Sequence, residues 1–194
     1  MLYALYNIKA VVLLSGEYVK RRKVISEPGF GYVEVFSLTT DRGTLESVIR
    51  YLFERWWHSI RFGPLLAGAV YEGRVETKPT IRRVDGFLKI DIGNWYFYVC
   101  VGPSSKSDDI KAEQARCPSR AEFYRLLDDD IPVSWGFRMY NGEGHQTLSI
   151  TLPNPYLNNE LQSIGEPYWK RLACWNYIRR KYLGLRPDPY DYGK

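Results

Sequence analysis

Four polar side chains recur at two-residue spacing on either side of a turn in the segment SWGFRMYNGEGHQTLSITLPNP, residues 134–155. They are Arg138 and Tyr140 before the turn, and His145 and Thr147 after it. Histidine titrates near neutral pH and suits general acid–base chemistry, and arginine binds carboxylate or phosphate through two parallel hydrogen bonds. The four residues therefore indicate either the wall of an anion-binding site or the solvent-exposed face of a β-hairpin.

The spacing predicts which face of the hairpin each residue occupies, because side chains alternate along a strand. With a four-residue loop at residues 141–144, Tyr140 lies opposite His145 and Arg138 lies opposite Thr147. The same face carries small residues: Ser134, Gly136, Ser149 and Thr151. The other face is apolar: Val133, Trp135, Phe137, Met139, Leu148, Ile150 and Leu152.

A second hairpin is predicted in GFLKIDIGNWYFYVCVG, residues 86–102. Gly93 and Asn94 fit a two-residue type II′ turn, which pairs Ile90 with Phe97. Its polar face carries Lys89, Asp91, Tyr96, Tyr98 and Cys100. If both hairpins lie in one sheet, their polar faces merge into a single surface. The predicted ligand-binding residues are then Arg138, Tyr140, His145, Tyr96, Tyr98 and Cys100, joined by Arg61, which precedes a Gly-Pro turn.

The cysteines and histidines do not form a metal-site or disulfide pattern. Three widely spaced cysteines give neither a disulfide framework nor a CxxC zinc motif, and two histidines are few for a metal site. Cys100 as a nucleophile would need a nearby base or cation, and a buried structural cysteine is the alternative. Cys117 precedes a predicted helix, whose N-terminus lowers a thiol pKa, so it is the better candidate for a reactive thiol. We predict no metal and assign no catalytic residue.

Three amphipathic helices are predicted between the strands. Residues 45–60 show apolar side chains at three- and four-residue spacing, with Asp41 or Thr44 as the cap. The segment CPSRAEFYRLL, residues 117–127, has Pro118 in its first turn and Ser119 with Glu122 at capping-box spacing. A last helix is predicted over about residues 167–182. The expected fold is α+β in a single domain, residues 1–194: a mainly antiparallel sheet with two long amphipathic helices packed on one face.

Composition narrows the classes of partner. The chain has 194 residues, a net charge of +5, and 15% aromatic residues. That net charge is much lower than the density of basic residues typical of a dedicated nucleic-acid-binding domain. The apolar start, residues 1–16, is interrupted by Lys9 and is short of the roughly 20 residues a membrane span needs. We expect a buried strand or helical turn there, no membrane partner, and a cytoplasmic protein.

Three stretches carry a family resemblance: RFGPLLAGAVYE, SWGFRMYNGEG and LPNP. Together they resemble an uncharacterised family of short prokaryotic proteins, over about residues 31–185. The resemblance associates histidines with the strand that here reads WYFYVCVG, where this chain has Tyr96 and Tyr98. It therefore implies no metal site in this chain, and it supplies no reaction.

Three hypotheses follow for function. The leading one is a small polar or anionic ligand bound in an aromatic, mildly cationic pocket on the sheet, with enzymatic activity open and the cofactor unknown. The second is a module that binds single-stranded nucleic acid through stacked tyrosines and basic runs. The third is a structural or homo-oligomeric subunit whose aromatic face packs against a second copy.

Overall fold

A computed structural model describes residues 22–66 and 69–192, and the predicted N-terminal element lies outside them. The fold is α+β with mainly antiparallel sheets, as predicted. The strands are β1 Arg22–Glu27, β2 Gly31–Leu38, β3 Arg61–Gly63, β4 Leu65–Leu66, β5 Ala69–Val70, β6 Thr80–Val84, β7 Phe87–Asp91, β8 Tyr96–Cys100, β9 Pro118–Asp128, β10 Ile131–Asn141 and β11 Gln146–Thr151. The α-helices are α1 Arg42–Arg55, α2 Ile110–Arg116 and α3 Ala173–Ile178.

The strands form three sheets. Six of them pair in the order β1-β2-β9-β10-β11-β3, with every neighbouring pair antiparallel. A second sheet contains β6-β7-β8, and β4 pairs with β5 in a third. The two predicted hairpins, β7–β8 and β10–β11, therefore lie in different sheets. The single merged polar surface expected from the sequence is wrong.

The predicted separation of faces holds within each hairpin. In β7–β8, Ile90 pairs with Phe97 as expected, and Gly93 has the positive φ of 95° that a type II′ turn requires. In β10–β11, a bulge shifts the register, so that Arg138 pairs with Ser149 rather than Thr147. A shift of two residues leaves Leu148, Ser149, Ile150 and Thr151 on their predicted faces. Thr147 is an exception: at the bulge Tyr140 pairs with Gln146, so Gln146 and not Thr147 lies on the face of Arg138. Val133 is a second exception and is exposed, beside an irregularity in the pairing of β9 with β10.

The helix α1 begins where its cap predicts. The Asp41 carboxylate accepts a hydrogen bond from the Thr44 backbone N–H at 2.9 Å. Its apolar stripe is fully buried, and Phe53 packs edge-on against Phe62 of β3 with ring centroids 5.0 Å apart. The helix ends at Arg55, earlier than the predicted residue 60. Arg61 therefore lies in a strand and not at a helix terminus.

The predicted helix over residues 117–127 is wrong, because this segment is the long strand β9. It pairs with β2 on one side and β10 on the other. Capping-box spacing is a local signal, and two flanking strands satisfy the backbone groups of this segment more completely than a short helix would. The strand brings Glu122 and Tyr124 onto the polar face of the sheet.

The last predicted helix is not one long α-helix. The chain forms a 3₁₀ turn over Trp169–Leu172, then α3, then a π-helical turn over Arg179–Leu183. Gly184, with a φ of 71°, ends it. Trp175 packs against Phe36 of β2 at 5.6 Å, and Tyr177 stacks on Tyr51 of α1 at 4.3 Å. Within residues 22–66 and 69–192, the structure thus has one long α-helix, α1, rather than the predicted pair.

Candidate functional site

The polar face of the six-stranded sheet is concave and holds a cavity of about 210 Å³. Its wall includes Phe30 in the turn between β1 and β2, and Arg61 on β3 at the opposite edge. Residues from both ends of the sheet meet around one cavity because the sheet curls, as twisted sheets do. The remaining wall contains Phe62, Gly63, Pro64, Tyr71, Glu72, Tyr124, Leu126, Ser134, Arg138, Gln146, Ser149 and Thr151.

Arg138 lies in the cavity wall, but its guanidinium is occupied by carboxylates. Its Nε donates to Glu122 at 2.7 Å, and its two terminal nitrogens donate to Glu27 at 2.8 and 2.5 Å. Burial by itself lowers the pKa of Arg138, but its hydrogen bonds to Glu27 and the charge of Glu122 outweigh that effect, so the pKa lies above its usual value. Arg138 therefore stabilises the wall of the cavity through its ion pairs with Glu27 and Glu122.

Arg61 is different, because its hydrogen bonds go only to neutral acceptors among the described residues. The residue is 8% exposed, and its guanidinium donates to the backbone carbonyls of Ile60, at 3.2 Å, and Asn159. Burial lowers its pKa and the charge of Arg74 adds to that shift, while the charges of Glu72 and Glu160 oppose it. An arginine remains charged at neutral pH in spite of such shifts. The cavity therefore has a buried cation without a hydrogen-bonded carboxylate.

Hydroxyl groups and one aromatic ring form the floor of the cavity. Burial raises the pKa of Tyr124, and the neighbouring Ser149 and Thr151 side chains oppose that shift. The Tyr124 ring packs on Gly136, where an added Cβ would lie 2.3 Å from the ring carbon Cζ. Gly136, which the alternation placed on this face, thus makes room for the Tyr124 ring.

The prediction from sequence missed several residues of this wall. Ser134, Ser149 and Thr151 were assigned to the correct face, so their register was a sufficient signal. Tyr124 lay in the segment that was predicted to be helical. Phe30 stands in a turn at the far edge of the sheet, and nothing local in the sequence placed it there.

The other predicted site residues are dispersed. Tyr140 lies beside Arg138, 5.6 Å from guanidinium carbon to ring centroid, and burial raises its pKa to about 12. The His145 side chain is 75% exposed at the hairpin tip, 3.4 Å from Glu143. Tyr96 and Tyr98 are exposed on the three-stranded sheet, and Cys100 is buried in the same strand. Of the seven predicted residues, the concave cavity is lined by Arg61 and Arg138.

A second cavity, of about 580 Å³, adjoins the first, and its wall is mainly apolar and rich in aromatic rings. Phe62 stacks on Phe97 at 4.9 Å and faces Trp95 at 6.0 Å. Tyr98 and Thr147 also line it. Five residues line both this cavity and the concave cavity: Phe62, Gly63, Pro64, Tyr71 and Glu72. The shared wall between the two cavities is therefore formed by β3 and the segment that follows it.

Cys117 follows the C-terminal end of α2 and not the start of a helix. Burial raises the pKa of its thiol to about 11, and the neighbouring Cys100 thiol adds to the shift. A thiol with a raised pKa is a poor nucleophile at neutral pH. The expectation of a reactive Cys117 is wrong in this environment.

The described residues contain neither a cluster of metal-ligand side chains nor a helix that could span a membrane. Among residues 22–66 and 69–192, His, Cys, Asp and Glu side chains do not form a group of three or more that could hold a metal ion. In the same part of the chain, we found no helix with the length and apolarity that crossing a membrane requires.

Comparisons with known proteins assign a family but no activity. A model of a family of unknown function, DUF7676, matches residues 22–184. No curated protein matches the chain. Among solved structures, the chain is similar to one titled "Crystal structure of ChuX", with 13% sequence identity and a TM-score of 0.49. That likeness covers 79% of this chain and 78% of the other.

Proposed function

We propose that this protein, which belongs to the family of unknown function DUF7676, binds a small polar or anionic ligand in the concave cavity of its six-stranded sheet. The observation that carries this proposal is Arg61, a buried cation that faces the cavity without a hydrogen-bonded carboxylate in the described part of the chain. Burying a charge that no hydrogen-bonded carboxylate neutralises is costly, and the exposed Glu72 and Glu160 act on Arg61 without accepting a hydrogen bond from it. A ligand with a negative or strongly polar group offsets that cost.

The size and lining of the cavity support the same class of ligand. Its volume of about 210 Å³ is below the roughly 300–1,000 Å³ of sites for drug-sized molecules. Hydroxyls from Ser134, Ser149 and Thr151 supply donors and acceptors, and the rings of Phe30 and Tyr71 supply apolar contact. A few polar groups in an otherwise apolar hollow is the usual composition of a small-molecule site.

A thermal-shift panel tests this proposal. The panel contains small sugars, amino acids, dicarboxylic acids and inorganic phosphate, and we expect at least one of them to raise the melting temperature of the wild type. Ser149→Leu fills the cavity and abolishes that rise. Ser37→Leu is the matched control, because Ser37 is exposed on the same face of the sheet and outside the cavity wall. Binding that survives in the Ser149→Leu variant contradicts the proposal, and so does a wild type that no panel member stabilises.

A second candidate function rests on the exposed face of the three-stranded sheet. Tyr96 and Tyr98 are 55% and 50% exposed, and Tyr98 pairs with Lys89, which pairs with Arg82. The Lys89 ammonium lies 3.8 Å from the centroid of the Tyr96 ring. Exposed aromatic rings interleaved with cations are a typical platform for single-stranded nucleic acid. We propose this face as a second candidate site, which binds single-stranded nucleic acid.

Binding to a fluorescent single-stranded oligonucleotide distinguishes this candidate. Tyr96→Ala and Tyr98→Ala should each weaken binding, and higher salt should weaken it further. Tyr168→Ala is the control, because Tyr168 is 54% exposed elsewhere. Binding that does not change with salt or with either tyrosine removes the candidate. Light scattering that shows a dimer, lost in the same tyrosine variants, favours self-association through this face instead.

A further inference from the structure

Beside the concave cavity lies a smaller one, of about 150 Å³, and Arg61 lines both. Ser134 and Thr151 are also common to the two walls. The wall of the smaller cavity also contains Arg171, from the 3₁₀ turn that precedes α3. A ligand held in the concave cavity can therefore extend one end past Arg61 toward Arg171.

Both guanidiniums are held by the same residue, Asn159. Arg61 donates to its backbone carbonyl, and Nη2 of Arg171 donates to its side-chain oxygen at 2.9 Å. Arg171 also donates from Nε to the carbonyl of Asn154 at 2.9 Å. A guanidinium has five N–H donors, so each retains donors beyond those that fix its position. The planar guanidinium groups of Arg61 and Arg171 are therefore held in position before a ligand binds.

Charge in this region is not balanced by direct contacts. Burial lowers the pKa of Arg171, and although Glu160 opposes that shift, the charge of Arg61 adds to it. Glu160 is exposed and lies 3.8 Å from Arg74. Glu72, on the wall of both cavities, is also exposed. In the described chain, neither carboxylate accepts a hydrogen bond from Arg61 or Arg171. The two arginines therefore line one small cavity, and among the described residues neither of them donates a hydrogen bond to a carboxylate.

We propose that Arg61 and Arg171 together form an oxyanion subsite, which takes the carboxylate or phosphate end of the ligand whose remainder fills the concave cavity. The inference rests on the proposed function and specifies its ligand as an anion with a compact oxygen-bearing head group. Arginine forks match both carboxylate and phosphate geometry, and two of them converge here on one small volume.

Calorimetric titration with sodium phosphate and, separately, sodium acetate tests the subsite, with sodium chloride at matched ionic strength as the reference. We expect at least one of the two oxyanions to bind the wild type. Arg61→Gln and Arg171→Gln should each weaken that binding at least tenfold, and Arg171→Lys should weaken it less than Arg171→Gln. The tighter of the two probes assigns the head group. Melting curves of each variant verify that it is folded.

Arg74→Gln is the matched control, because Arg74 is a nearby arginine that is 49% exposed and lies outside both cavity walls. It should change the affinity less than twofold. An equal loss in Arg74→Gln overturns the subsite in favour of a general field effect, and unchanged affinity in Arg171→Gln overturns it in favour of Arg61 alone. If neutral members of the thermal-shift panel bind while neither oxyanion does, the subsite is wrong and the proposed function stands. If no compound binds, both fail.

Discussion

Glu27 on β1 accepts two hydrogen bonds from Arg138 on β10, although β2 and β9 lie between those two strands. Neighbouring strands are about 4.8 Å apart, so three spacings correspond to about 14 Å along a flat sheet. Side chains stand roughly perpendicular to a sheet. The contact therefore requires the sheet to curl, and that curl makes the polar face concave. The same pair fixes the wall of the cavity in which Arg61 is found.

Loss of Arg138 should destabilise the fold rather than remove only a ligand contact. Arg138→Met leaves Glu122, which is buried, and Glu27 without their shared cation. Breaking a buried ion pair in this way costs about 3–5 kcal/mol of unfolding free energy. Urea unfolding measures it. Adding Glu27→Gln and Glu122→Gln to Arg138→Met should recover part of the loss, because no uncompensated carboxylate then remains.

The control for this prediction is the exposed pair formed by Arg74 and Glu160. Arg74→Met should change stability by no more than about 1 kcal/mol, because exposed ion pairs contribute little. If Arg138→Met unfolds no more readily than Arg74→Met, the contact across the curled sheet is not structural.

Gly136 should tolerate no side chain while Tyr124 is present. An added Cβ would lie 2.3 Å from Cζ and 2.5 Å from the hydroxyl oxygen of Tyr124, and such overpacking costs about 1–3 kcal/mol. Gly136→Ala should therefore be destabilising in the wild type and nearly neutral in a Tyr124→Ala background. Gly165→Ala is the comparison, since nothing lies within 4 Å of its added Cβ. Equal losses with and without the Tyr124 ring would show that the crowding has another source.

The charge of Asp41 should stabilise the protein only above strongly acidic pH. Hydrogen bonds from the Thr39 hydroxyl and from Thr44 lower the pKa of Asp41 from 3.8 to about 2. A carboxyl whose pKa is lower in the folded protein contributes its full stabilisation to the free energy of unfolding at any pH above its unfolded pKa. That stabilisation is lost as the pH falls through the pKa of the folded protein. Asp41→Asn keeps a capping side chain without the charge. Its melting temperature should lie below that of the wild type at pH 7, and the gap should close between pH 4 and pH 2.

Thr39→Val provides a check on the cause of this shift. It removes the hydrogen bond to Asp41, which is 2.7 Å long, so the pH at which the gap closes should rise toward the ordinary value. A gap that stays constant from pH 7 to pH 2 would mean that the charge of Asp41 is irrelevant to stability.

Cys117 should react slowly in the folded protein. Burial and the Cys100 thiol raise its pKa from 9.0 to about 11, so the thiolate fraction at pH 8 falls about 100-fold, and the thiolate is the reactive form. Iodoacetamide labelling followed by peptide mass spectrometry should show this difference between native protein and protein in urea. Cys100→Ser should speed the native reaction, because it removes one cause of the raised pKa. Equal rates in native buffer and in urea would refute the assignment.

Alternation along a single hairpin was sufficient to predict the faces of β7–β8 and β10–β11. Side-chain direction in a strand has a period of two, so even the bulge beside Tyr140 left Arg138 on the predicted side. The Gly93 turn and the apolar stripe of α1 were predicted for the same reason. In each case the determining residues lie within a few positions of one another.

Tertiary structure decided which of these faces share a site. The segment of β9 carries the local signature of a helix, and only the strands β2 and β10 on either side make it extended. The sequence pattern around Arg138 indicates an anion-binding residue, but the guanidinium of Arg138 is hydrogen-bonded to Glu27, which lies 111 residues earlier in the chain. Arg61 and Arg171 meet at Asn159 although 98 residues separate Arg61 from it. The residue pattern along the chain specifies the periodicity of an element and the direction of its side chains. The partner of a charged side chain depends instead on distances in space, which no local spacing encodes.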